Sequence, residues 1–173
     1  MSATAWGAVV DALLTAVAAR PGYRSTWDAT TANATDRVVL DSIEVGQLGD
    51  QAGTFLVVAF PGDPALPIEA GQTGQVVATL PNPRTRQEDG LVRCLAVDQR
   101  GDVGPGVTSA SRVAALSVLD DVDATLRAAP TLGLVPIYAS MVVRLGGLPS
   151  IRPFLGSGVV TWVEFDVEFS ARI

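Results

Sequence analysis

The chain has 173 residues, which fits one domain, and 48% of them are hydrophobic. Its formal net charge of −6 argues against tight nucleic-acid binding, because such binding depends on basic side chains that neutralise phosphates. The mean hydropathy of +0.34 is high for a monomer, yet the longest apolar run, 55–60, is far shorter than the roughly 20 residues of a membrane helix. The surplus of apolar residues favours an oligomer whose subunit contacts cover it.

The N-terminal segment, residues 1–19, carries no basic region, and Asp11 interrupts its apolar stretch, so no export signal is predicted. Cys94 is the single cysteine and cannot form an internal disulfide. Both features agree with assembly in a reducing cytoplasm.

The first predicted element is an amphipathic helix over residues 6–17, in which apolar residues recur at helical spacing. A long polar loop follows at about 22–53, with short strands at the apolar patches 38–40 and 43–45. The β-branched and aromatic stretch 54–60 predicts a buried strand.

A second loop, 61–74, is rich in proline and glycine. The segments 75–80 and 91–98 predict the two strands of a long hairpin, and 81–90 predicts their connection. Arg84, Arg86 and Glu88 fall near its tip. They have two interpretations, an ordinary mixed-charge surface or a contact with another subunit or partner.

A second helix is predicted to begin at Thr108 or Ser109, either of which can cap it, and to end at about Ala128. Asp123 and Arg127 are four residues apart, which favours an ion pair. Helical spacing predicts an inward face made of Ala115, Leu116, Leu119, Val122 and Leu126.

The closing segment predicts two strands, at 138–145 and 158–172, joined by a loop that contains Pro149 and Pro153. Strict alternation of apolar and polar residues makes the last strand the clearest signal in the chain. The order of elements predicts an α+β fold: a mainly antiparallel sheet with two helices packed on one face, forming a single domain over 1–173.

The residues offer no catalytic constellation. The chain has no histidine and no lysine, which excludes histidine-based triads, the HExxH metal helix, the P-loop and Schiff-base chemistry. With no histidine to activate it, Cys94 is predicted to be a buried structural thiol. We therefore expect a protein that is not an enzyme and that uses no cofactor and no metal.

Two groups of acidic residues and one group of glycines each have a possible functional interpretation. Glu164, Asp166 and Glu168 share one face of the last strand at a spacing of about 6.6 Å, which is compatible with a glycosidase pair, but a face exposed to solvent or to a lumen is favoured. A solvated helix face is favoured over a metal site for Asp120, Asp121 and Asp123. A plain connection is favoured over a phosphate loop for Gly101, Gly104 and Gly106.

Several phrases, taken in order, resemble the tail terminator proteins of long-tailed, siphovirus-like bacteriophages, in particular those that infect actinobacteria. The resemblance covers most of the chain. The phrases that carry it are AWGAVVDALL at 5–14, the strand 55–60 with Pro61, Gly62 and Asp63, RQEDGLVRCLAV at 86–97, LRAAPTLGL at 126–134 and VEFDVEFSARI at 163–173. The last two are the most telling. The loops 23–53 and 61–74 are longer than the family pattern.

The resemblance implies a structural virion protein: a hexameric ring that caps the tail tube, ends its polymerisation and joins it to the head-completion, or stopper, protein. DNA would pass transiently through the ring, repelled by acidic side chains such as Glu164, Asp166 and Glu168, and the hairpin with Arg84, Arg86 and Glu88 would contribute ring or tube contacts. The expected location is the neck region of the virion tail, after assembly in the host cytoplasm and without a membrane. The nearest alternative is another neck or tail component, a head-closure protein or a tube subunit.

Overall fold

The computed structural model describes residues 5–25, 37–41, 52–59, 76–79, 86–135, 137–155 and 158–172. These residues form two helices, α1 (Ala5–Ala18) and α2 (Val107–Ala128). They also form seven strands: β1 (Tyr23–Arg24), β2 (Arg37–Asp41), β3 (Gly53–Val58), β4 (Val76–Thr79), β5 (Arg86–Arg100), β6 (Ser140–Leu155) and β7 (Val159–Arg172).

All seven strands belong to one sheet with the order β1-β2-β3-β5-β7-β6, and β4 pairs with the first residues of β5. The β1–β2 and β2–β3 pairs are parallel, and the other pairs are antiparallel. The predicted α+β class with a mainly antiparallel sheet is confirmed. In the described part of the chain, no helix combines the length and apolar character that crossing a membrane requires.

Both helices pack on the same face of the sheet, because alternate strand residues and the inner faces of the helices share one hydrophobic cluster. Val9, Leu13 and Val17 of α1 are fully buried there, as the helical spacing predicts. On α2 the buried residues include Val118, whereas Leu116 and Leu119 are only half-buried, so the predicted inward face is rotated slightly.

The alternation predicted for the last strand is confirmed along the whole of β7. Its odd-numbered residues are buried under the helices, and the even-numbered residues up to Ser170 are half-buried on the opposite face. We call this opposite side of the sheet the far face. Part of it holds a second cluster of buried residues: Val38, Leu40, Phe55, Val57, Leu95 and Val97.

Two predicted boundaries are wrong. Helix α2 begins at Val107, and its N-cap is Gly106, whose φ of 85° is in the left-handed region, so Thr108 and Ser109 lie inside the first turn. β5 begins at Arg86, where Arg86 is opposite Thr79 in the β4–β5 pair. The connection of the hairpin is therefore shorter than predicted.

The predicted loop around Pro149 and Pro153 is instead part of β6, which has a register shift between Gly146 and Ser150. β6 is at the border of the described sheet. Proline is tolerated there because an edge strand does not need every backbone N–H for a neighbour. The loop 61–74 and the patch 43–45 lie outside the described residues, whereas the patch 38–40 is in β2, as predicted.

Gly90 of β5 is opposite Phe169 of β7, and the aromatic ring lies directly over it. A Cβ atom at residue 90 would be 2.6 Å from Phe169 Cζ, and Phe169 is itself buried. We expect Gly90→Ala to lower the free energy of unfolding by about 1–3 kcal/mol, the usual cost of overpacking. The matched control is Gly101→Ala, where an added Cβ meets no atom within 4 Å. Equal urea midpoints for the two variants would contradict this packing.

Candidate functional site

The far face carries a row of charged side chains beside its buried apolar cluster. The carboxylates of Glu164, Asp166 and Glu168 alternate along β7, and arginines of the neighbouring strands β5 and β6 lie beside them. We call these residues the charge ladder: Arg93, Arg144, Arg152, Glu164, Asp166 and Glu168.

Cross-strand register places each arginine near its carboxylate. Arg93 is directly opposite Asp166, and Arg144 is directly opposite Glu168. Arg152 is opposite Trp162, two residues from Glu164. Opposite charges in such positions attract across the sheet, typically by a fraction of a kcal/mol per pair.

The Arg144–Glu168 pair has the best geometry in the ladder. Both Arg144 Nε and Nη2 contact Glu168 Oε2, at 3.1 and 3.0 Å. Glu168 lies across Gly146, where a Cβ atom would be 2.6 Å from Glu168 Cγ. The absence of a side chain at Gly146 therefore leaves room for the carboxylate to reach Arg144.

The other two pairs are looser. Arg93 Nε is 3.6 Å from Asp166 Oδ1, and Arg152 Nη1 is 3.9 Å from Glu164 Oε1. These two carboxylate oxygens are inaccessible to solvent and accept no hydrogen bond from the described residues. The interaction there is electrostatic attraction without a close hydrogen bond.

The three predicted acidic residues thus share one face, as alternation requires, but they do not form a net acidic strip. Their side chains are 18% exposed at Glu164, 37% at Asp166 and 42% at Glu168. Because three arginines match three carboxylates, the ladder is formally neutral. The expectation that these acids alone would repel DNA phosphates therefore needs correction. The arginine partners were missed because they come from two other strands.

The predicted contact residues of the hairpin are not brought together as a tip. Arg84 lies outside the described residues, and Arg86 lies at the start of β5. Glu88 is only 1% exposed, on the helix-bearing side of β5, where its Oε1 accepts a hydrogen bond from the backbone N–H of Trp6 at 3.3 Å. Glu88 is therefore a buried internal residue, and its predicted role in a ring or tube contact is wrong.

Asp121 forms a second charged cluster at the other side of the sheet. Its Oδ1 is 2.7 Å from Arg20 Nη2, and its Oδ2 pairs with Arg37 and accepts a hydrogen bond from the Tyr23 hydroxyl at 2.9 Å. The predicted solvated helix face is thus wrong for Asp121, whereas the predicted Asp123–Arg127 pair is confirmed at 2.7 Å. The Asp121 cluster ties α2 to the end of α1 and to β1 and β2.

Burial, partly offset by Arg37 and reinforced by Asp121, raises the pKa of Tyr23 to about 12. Below the ordinary tyrosine pKa of about 10, the Tyr23 hydroxyl keeps its proton in both the folded and the unfolded state. Above that pH, Tyr23 ionises in the unfolded state before it ionises in the folded state. The free energy of unfolding therefore falls as the pH rises. We expect the wild type to lose about 2 kcal/mol more than Tyr23→Phe between about pH 9 and about pH 11.5. Urea unfolding at both pH values measures this, and equal losses would contradict it.

Cys94 is fully buried, as predicted, and burial raises the pKa of its thiol. No group of three or more acidic, histidine or cysteine residues in the described ranges could hold a metal ion. The candidate functional surface is therefore the far face, with its charge ladder and the exposed side chains of Val142 and Phe154, which are opposite Ser170 and Val160.

A comparison with protein-family models finds no match to this sequence, and a comparison with curated proteins also finds none.

The charge ladder can be tested through Arg144, whose side chain is 73% exposed. Arg144→Glu places a like charge opposite Glu168, and we expect it to lower the free energy of unfolding by about 0.5–1 kcal/mol at low salt. The loss should shrink in about 1 M salt, because exposed charges are then screened. The control is Arg144→Gln, which removes the pair without adding repulsion. A loss that does not change with salt would contradict an electrostatic ladder.

Proposed function

We propose that this chain is a structural subunit that assembles into a ring, and specifically a phage tail terminator that forms a hexamer on the end of the tail tube. The order of sequence phrases described above supports the family. The α+β architecture is compatible with a protein whose function resides in its shape and its contact surfaces.

The observation that carries the proposal is the apolar surface of β6. Among the described residues, eight large hydrophobic side chains are exposed, and four of them belong to this one edge strand. They are Val142, Leu148, Ile151 and Phe154. The Leu148 side chain is 96% exposed. An apolar side chain in water is unfavourable, so covering it with another subunit would stabilise an assembly.

The difference between the two sides of the sheet is also compatible with a ring. A ring needs two different patches on each subunit, because identical patches that meet each other give a closed dimer. The helix-bearing face and the far face of the sheet are chemically different, so a head-to-tail contact has two distinct surfaces to use. The neutral charge ladder gives the far face paired charges of both signs, which suits a register-specific contact.

The proposed function is tested by polymerising the tail-tube protein of the same phage with and without this chain. We expect the added chain to stop elongation, so that tube length falls as its concentration rises. The matched control is the Leu148→Asp variant, which replaces an exposed apolar side chain with a charged one and should cap fewer tubes. Tube lengths that do not respond to the wild-type chain would exclude a terminator. Binding to the portal or adaptor instead would indicate a head-closure protein.

A further inference from the structure

The far face contains a groove between β5, β6 and β7, with a volume of about 480 Å³. Leu91 and Val142 give it apolar walls, and Val142 is 55% exposed. Asp89, Arg144 and Glu168 supply its charged groups. The groove lies at the end of the charge ladder.

The charges in the groove do not cancel. Arg144 and Glu168 neutralise each other. Both oxygens of Asp89 accept hydrogen bonds from the side-chain amide of Gln87, at 3.1 and 2.9 Å, and no cation of the described residues forms an ion pair with Asp89. The groove therefore carries one uncompensated negative charge beside apolar walls, and the complementary ligand is a cation attached to an apolar neighbour.

The same chain displays such a pair on its other side. Arg112 is exposed near the start of α2 and takes part in no ion pair among the described residues, and the next residue, Val113, is 63% exposed. α2 packs on the helix-bearing side of the sheet, whereas the groove opens on the far face. Arg112 therefore cannot reach the groove of its own chain.

We propose that the groove of one copy receives Arg112 and Val113 of a neighbouring copy, with the Arg112 guanidinium on the Asp89 carboxylate. This inference rests on the proposed function, since it names the two patches that join successive subunits. Arginine suits the site because its planar guanidinium can bind a carboxylate through two parallel hydrogen bonds. A contact between two different patches is head-to-tail and can close into a ring.

A charge exchange tests the contact. Four proteins are compared: wild type, Asp89→Arg, Arg112→Glu and the double variant. Ring formation is measured by light scattering and, with tail-tube protein present, by the fraction of tube ends that carry a ring. We expect each single variant to assemble at least about tenfold less well, since reversing one charge of a desolvated pair leaves two like charges facing each other in the contact. The double variant should recover most of the assembly. Arg127→Glu, an exposed arginine on the same helix, is the control.

The outcomes separate the inference from the proposed function. If the wild type and both single variants form rings equally well, the groove is not the subunit contact, whereas the ring itself stands. If the single variants fail and the double variant also fails while remaining folded by circular dichroism, the Asp89–Arg112 pairing is wrong. If the wild type forms rings neither alone nor on tubes, the proposed function fails, and the inference fails with it.

Discussion

Replacing Glu88 with alanine is expected to lower the free energy of unfolding by about 2–4 kcal/mol, because the change removes a buried hydrogen-bond acceptor and leaves a cavity. Glu88 is buried between β5 and the start of α1, where its carboxylate accepts from Trp6 N–H. The carboxylate also lies near the positive end of the α1 dipole, and α1 has no acidic residue in its first turn. Urea denaturation followed by tryptophan fluorescence measures the loss.

Two variants separate the causes of that loss. Glu88→Gln keeps the shape and an acceptor oxygen but removes the charge, so we expect it to recover part of the stability. Glu168→Ala is the matched control, since it makes the same chemical change at a half-exposed residue and should cost less than about 1 kcal/mol. If Glu88→Ala is no more destabilising than Glu168→Ala, Glu88 does not anchor α1.

The second large effect is expected at Asp121, whose carboxylate holds Arg20, Arg37 and Tyr23 together. Asp121→Ala leaves two guanidinium groups close to each other without a counter-charge and removes the acceptor of the Tyr23 hydroxyl. We expect a loss of about 2–4 kcal/mol in the free energy of unfolding. This is below the usual cost for a fully buried pair because the two arginine side chains are about a third exposed, at 32% and 30%.

The adjacent residue provides the control. Asp120 is exposed on the same turn of α2, so Asp120→Ala should change the stability by less than about 0.5 kcal/mol. Hydrogen exchange in β1 and β2 should rise for Asp121→Ala and stay unchanged for Asp120→Ala, since Asp121, unlike Asp120, contacts residues of these strands. Equal stability of the two variants would show that the Asp121 cluster contributes little.

Local pattern was sufficient to predict much of the fold. Alternation along β7 and helical spacing in α1 are properties of consecutive residues, and both predictions are confirmed. β6 shows where such patterns fail. Pro149 and Pro153 indicated a loop, because proline is excluded from central strands, but β6 is at the edge of the sheet that the described residues form, and an edge tolerates proline. Position within the sheet, which short-range sequence does not contain, decided the outcome.

The candidate site was predicted only in part, for the same reason. The two-residue alternation of a single strand, β7, is enough to predict that the three carboxylates of the charge ladder share one face. Their arginine partners depend on the register between β7 and the strands on both sides of it, which is a long-range property. Long-range pairing also explains why the prediction for Glu88 is wrong. In the sequence Glu88 belongs to a charged segment that resembles a hairpin tip, yet it pairs with Ala171 of β7, and this position is in the interior.

The most direct test of the ring-forming subunit is electron microscopy of the purified protein mixed with the tail-tube protein of the same phage. We expect a ring of six copies, about 107 kDa for a subunit of 17.9 kDa, at one end of each tube. A chain that stays monomeric in the mixture and leaves the tube ends bare would contradict it.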